Sequence, residues 1–157
     1  GALAAKATVI EMSSGGMYNA PLTLGYMGVK NPKKYSGVYA YAVHKRGQAE
    51  LVKYWHARHG AKGMRFYVMH PGWADTDGVK TAMPNFRKIL KSVLRDSAQG
   101  ADTALWLAAT RPSAPGPEAF WFDRAPRPAH AYPHTEQTKD TPDGLAAFLA
   151  KEAAQVA

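Results

Sequence analysis

The sequence predicts an α/β fold with a mostly parallel sheet. Short apolar, β-branched runs alternate with longer stretches of helix formers. Each of the first two runs ends in small polar residues or in Pro-Gly. The connection between those runs holds a loop and a full helix, which suits parallel neighbours joined by a right-handed crossover.

The elements follow in order. "ATVIEMSS" (residues 7–14) reads as a buried strand running into Gly15-Gly16. Residues 15–36 are rich in Gly, Pro, Asn and Tyr with no sustained period, so a long loop is expected, and loops of that length in a compact domain are often functional. From about Val38 to His59 the chain has no proline and many helix formers, with Gly60 as a stop. A second strand runs from Met64 to His70 and is broken by Pro71-Gly72.

Residues 82–95 predict a short amphipathic helix, with Phe86, Ile89, Leu90, Val93 and Leu94 at helical spacing. Residues 97–110 predict another, with Ser97 as its N-cap. "EAFWFDR" (118–124) is a third short strand, the Pro- and His-rich "APRPAHAYPH" a loop, and 143–155 a terminal helix. About three strands make a narrow sheet, and the run at Ala7 would expose an apolar edge unless further strands cover it. The chain therefore reads as a piece of a larger fold.

Composition narrows the function classes. The 157 residues are 46% hydrophobic, which fits one globular domain, and no repeat or internal boundary is visible. No apolar run reaches the roughly 20 residues of a membrane helix, and the start, "GALAAKATVI", has no secretory pattern. The absence of cysteine excludes disulfides, thiolate catalysis and cysteine metal sites, and suits the cytoplasm or another reducing compartment. The net charge of +8 favours anionic partners such as a phosphorylated cofactor, a nucleic acid or an acidic membrane surface. The basic residues are dispersed, however. "KNPKK" (30–34) is the one tight cluster and reads as a solvated loop, so no nucleic-acid partner is expected. His56 and His59 lack a carboxylate partner at ligand spacing, so no metal site is expected. No Gly-x-Ser-x-Gly elbow points to a hydrolase.

Two tyrosine–lysine pairs, Tyr26/Lys30 and Tyr41/Lys45, have four-residue spacing. Chance alone gives about 0.6 such pairs in a chain of this composition, so spacing is a weak signal. Context separates them. "YMGVKNP" carries a mid-pair Gly and a following Asn-Pro, both unfavourable to a helix. Tyr41 and Lys45 stand in the first turns of the predicted long helix and share a face. A tyrosine hydroxyl is a poor acid/base at neutral pH unless a nearby ammonium favours the phenolate. Ser13 and Ser14 end the preceding strand and Pro71-Gly72 the next. Both therefore lie at the carboxyl ends of strands, where open α/β sheets bind ligands.

"MSSGG", "YAVHK" and "HPGWADT", in that order, resemble the C-terminal half of a short-chain dehydrogenase/reductase, with the retinol-dehydrogenase-like branch nearest. "QGADTALWLA" and "FWFDRAPRPAH" extend the likeness over nearly the whole chain. The resemblance implies the C-terminal half of a Rossmann-like parallel sheet, with residues 1–157 as a partial NAD(P)-binding domain. It implies Ser14 as the substrate-orienting serine, Tyr41 as the acid/base, and Lys45 as the lysine beside the phenol and the nicotinamide ribose. Pro71, Gly72, Ala74 and Thr76 match the stretch beside the nicotinamide, with Ala74 in place of the usual Val. Residues 82–95 match a variable substrate lid, whose apolar stripe suits a lipophilic carbonyl or alcohol.

Two departures accompany the resemblance. The Ser14-to-Tyr41 gap is longer than in many family members, as the insertion of the retinol-dehydrogenase-like branch would make it. The family's Gly-rich Thr-Gly-x-x-x-Gly-x-Gly turn, its Asn-Asn-Ala-Gly stretch and its helix asparagine have no match here. The expected function is an NAD- or NADP-dependent oxidoreductase present as a C-terminal fragment, with homo-oligomerisation compatible. The alternative is a truncated, non-catalytic polypeptide acting as an interaction module or without function.

Overall fold

The computed structural model describes residues 3–29, 31–75, 88 and 93–155. Four strands form one sheet in the order β1-β2-β3-β4: Thr8–Met12, Arg65–Met69, Phe120–Phe122 and Ala125–Arg127. β1 and β2 run parallel, with Thr8 opposite Arg65 and Met12 opposite Met69. β3 joins β2 in parallel, and β4 closes an antiparallel hairpin on β3. Four α-helices are described: α1 (Leu24–Met27), α2 (Gly37–His59), α3 (Ser97–Thr110) and α4 (Pro142–Ala153). This is a mostly parallel α/β sheet with flanking helices, consistent with part of a Rossmann-like fold.

Strand alternation sorts the core into two layers. Phe66, Val68 and Phe120 face α2 and pack with Met17, Ala49, Val52 and Met64. Tyr67, Met69 and Trp121 face the other way, onto Leu107 of α3 and Ala119. Phe120 is 1% exposed, and truncating such a side chain costs about 3–5 kcal/mol. The helix between β1 and β2 thus covers one face and the helix before β3 covers the other.

Three details differ from the sequence expectation. The sheet has a fourth strand, because Ala125–Arg127 lies in the stretch expected to be a loop. The turn into it is Asp123-Arg124, both left-handed at φ 52° and 56°. A two-residue hairpin turn needs that geometry, but its usual signature is Asn-Gly or Asp-Gly, which is absent here. Ion pairs hold the turn instead: Asp123 takes both terminal nitrogens of Arg95, and Arg124 pairs with Asp102. Pro126 is tolerated because β4 is an edge strand.

The cap of α3 is Asp96, not Ser97. Asp96 Oδ1 accepts from Gln99 N at 2.7 Å and Gln99 Oε1 accepts from Asp96 N at 3.0 Å, a reciprocal capping box. Segment 15–36 is not featureless either. It contains 3₁₀ turns at Gly15–Asn19 and Pro32–Lys34 with α1 between them. Thr76 and most of the predicted helix at 82–95 lie outside the described residues.

Candidate active site

The carboxyl end of β1 delivers Met12, Ser13 and Ser14 beside α2. Ser36 caps α2, its Oγ accepting from Tyr39 N at 3.4 Å, so Tyr41 lies in the helix's second turn and Lys45 one turn later. The Lys45 ammonium donates to the Met12 carbonyl at 2.9 Å and lies 5.8 Å from the centroid of the Tyr41 ring. Tyr41 is half exposed.

The two serines have different surroundings. Ser13 is buried and its hydroxyl donates to the Lys45 carbonyl at 2.8 Å, tying β1 to α2. Ser14 is half-buried and its Oγ accepts from Gly16 N at 3.1 Å, capping the turn that follows. A hydroxyl that accepts one bond keeps its proton to donate elsewhere. Gly16 brings the groups together: a Cβ built on it would meet Tyr41 Cε1 at 3.0 Å and Ser14 Oγ at 3.5 Å. Ser14, Tyr41 and Lys45 are therefore neighbours on one rim, with Gly16 in contact with the Tyr41 ring and the Ser14 hydroxyl.

Tyr26 is placed differently. Its hydroxyl accepts from Ser36 N at 2.6 Å, and its ring meets Tyr39 edge-on at 4.7 Å. It therefore anchors the start of α2. Lys30, its partner by spacing, lies outside the described residues.

The end of β2 builds the neighbouring part of the rim. Gly72 has φ +79°, the left-handed backbone that favours glycine, and a Cβ there would meet Arg95 Nε at 2.6 Å, so that the arginine would have to shift. Pro71 and Ala74 receive the first turn of α3, where a Cβ on Gly100 would meet Ala74 at 3.2 Å and Pro71 at 3.8 Å. Backbone bonds between Trp73, Asp75 and Arg95 tie this loop to the segment entering α3. The structure thus sets Pro71, Gly72 and Ala74 in one closely packed turn. The placement of Thr76 is not described.

Sequence reasoning passed over two residues near this rim. His70 stacks on Phe120 and Phe122 at 6.1 and 5.1 Å, and its Nε2 lies 3.4 Å from a Cβ built on Gly15. Burial first, then the Arg95 charge, pushes its imidazole below the ordinary value, with Asp123 opposing. Arg46, next to Lys45, is fully buried and binds three backbone carbonyls. A signal for it existed, because Arg46 interrupts the apolar stripe formed by Ala42, Val43, Ala49 and Val52.

Over 127 residues the chain is 41% identical to dehydrogenase/reductase SDR family member 12 of Bos taurus, and over 124 residues 44% identical to the Homo sapiens protein of that name. Each match covers 78% of this chain. The chain belongs to the short-chain dehydrogenase/reductase family. It matches 38% of the length of each relative. No family model and no solved structure matches it. Among the described residues, no helix is long and apolar enough to cross a membrane. One helix, α2, carries Tyr41 and Lys45 and also touches the surroundings of both serines.

Proposed function

We propose that this chain carries the proton-transfer half of an NAD(P)-dependent oxidoreductase that interconverts a carbonyl and an alcohol. The observation that supports it most is that Gly16 lies against both the Tyr41 ring and the Ser14 hydroxyl, with the Lys45 ammonium 5.8 Å from the centre of that ring. The residues fit the nicotinamide-ribose end of such a cofactor. Among the described residues the Lys45 ammonium donates to the Met12 carbonyl, which leaves two of its three N–H groups for ribose hydroxyls. The 157 residues contain no Gly-rich phosphate-binding turn, so the pyrophosphate end has no cradle among them. When bound, the nicotinamide supplies or accepts the hydride.

The chain's own residues account for the proton. In the reducing direction Tyr41 gives its hydroxyl proton to the substrate oxygen; in the oxidising direction it takes that proton back. Ser14 donates a hydrogen bond to the same oxygen and fixes the substrate's orientation. The Lys45 charge offsets the negative charge left on Tyr41, and its bond to Met12 keeps it in place. The substrate is a small molecule, and a lipophilic carbonyl compound or alcohol suits the apolar stripe in the sequence of 82–95.

Tyr41→Phe in the full-length protein tests this reading. Loss of the proton donor should lower kcat by about a hundredfold or more, while NAD(P)H fluorescence titration shows cofactor binding largely kept. Turnover that survives the substitution would remove Tyr41 from the mechanism.

A further inference from the structure

Arg46 is 0% exposed, and its neighbours explain how a permanent charge is accommodated there. A guanidinium has five N–H donors and no acceptor, so carbonyl oxygens can satisfy it. Nε donates to Ala20 O at 3.3 Å, Nη2 to Met17 O at 3.1 Å and Nη1 to Ala129 O at 2.7 Å. Burial pushes Arg46 below its ordinary value, opposed by the nearby Glu50 carboxylate and by Tyr18.

The three carbonyls belong to two separate segments outside the main helices and the sheet. Met17 and Ala20 lie in and just after the 3₁₀ turn that Ser14 caps, and Ala129 lies just past β4. A second bond joins the same two segments: Tyr18 Oη donates to Pro128 O at 2.6 Å, with its ring edge-on to Phe120. Beyond Ala129 the chain is held as well. Thr135 gives its proton to Tyr132 O at 2.7 Å, so His130 Nδ1–H donates to Thr135 Oγ1 at 2.9 Å.

We infer that Arg46 is a positioning residue that holds the Ser14 turn at a fixed place relative to Tyr41 and Lys45. The inference rests on the reading of those three residues as the reacting set. Its physical basis is that α2 carries the tyrosine, the lysine and, at the next position, the anchor of the segment bearing the serine. Serine and tyrosine are thus registered through one helix in addition to the sheet. Lysine does not reproduce the fork, because three different guanidinium nitrogens reach the three carbonyls and an ammonium has a single nitrogen.

The test uses this chain, isotope-labelled, with Arg46→Lys and Arg46→Met. In the wild type, the Arg46 Nε–H should be protected from exchange and the Gly16 α-protons should show a contact to the Tyr41 ring. Arg46→Lys should speed amide exchange at Met17 and Ala20 by about tenfold or more while β2 and α3 keep their protection, and should weaken the Gly16–Tyr41 contact. Unchanged exchange and an unchanged contact in Arg46→Lys overturn the inference. Fast exchange of the wild-type Nε–H overturns it without any variant, which covers the case that Arg46→Met does not fold. In the full-length protein, Arg46→Lys should lower kcat more than it raises KM, and should add little once Ser14 is already alanine. Additive losses in that cycle would show that Arg46 does not act through Ser14. If Tyr41→Phe keeps its turnover while Arg46→Lys loosens the Gly16 contact, the catalytic reading falls and the structural registration stands.

Discussion

Gly16 lies directly against the ring of Tyr41: a methyl group on it would sit 3.0 Å from Cε1 and 3.2 Å from Cδ1. The nearest obstacle is a half-exposed side chain, which can swing away. Gly16→Ala is therefore expected to cost less than about 1 kcal/mol of stability, yet to displace the phenol. A shift of about 1 Å at a reacting group can cost on the order of a hundredfold in rate. A thermal melt within a few degrees of wild type combined with a large fall in kcat is the expected pair of results. Full activity in Gly16→Ala would mean that the observed ring position is not the working one.

Tyr26→Phe separates the two tyrosines. It removes the acceptor of Ser36 N–H at the start of α2 and should cost about 0.5–1 kcal/mol in denaturant unfolding. Turnover in the full-length protein should be unchanged. A Tyr26 variant as inactive as Tyr41→Phe would reverse the assignment.

Gly72→Ala should be destabilising by about 1–2 kcal/mol from the left-handed backbone alone. Displacement of Arg95 adds to this and loosens its pair with Asp123. Equilibrium unfolding measures the loss, and a midpoint matching the wild type would contradict the backbone argument.

His70 and His130 set an acid limit on stability. Burial is the first cause of the downward shift in both, with Arg95 adding to it at His70 and Arg46 and Lys53 at His130. A folded imidazole that resists protonation favours the folded state fully above the ordinary value of 6.5 and loses that advantage as pH falls below it, because the unfolded chain then binds more protons. Asp102 and Asp123 are shifted down by their bonds to Arg124 and Arg95, so their contribution persists until pH falls below 3.8. The melting temperature should therefore drop between about pH 7 and pH 5, and His70→Gln should shrink the drop. A His70→Gln profile parallel to wild type would show that the site does not govern the effect.

Much of this molecule was legible in the chain itself. The alternation of apolar runs with a proline-free helix determined a parallel α/β arrangement, because strand and helix periods differ and each run ends in its own stop signal. The same local signals put Tyr41 and Lys45 on one helical face. Strand and turn signals placed Ser13-Ser14 and Pro71-Gly72 at the ends of the adjoining strands, and the family resemblance singled out Ser14. What local pattern could not carry was decided by contacts between residues far apart in the chain. The hairpin at Asp123-Arg124 has no turn signature and is held by Arg95 and Asp102. The close approach of Gly16 to Tyr41 spans 25 positions, and the hold of Arg46 on Ala129 spans 83. Sequence spacing encodes neighbours along a strand or helix. Only the packing of α2 against the sheet brings one helix's tyrosine, lysine and arginine to the turn that bears the serine.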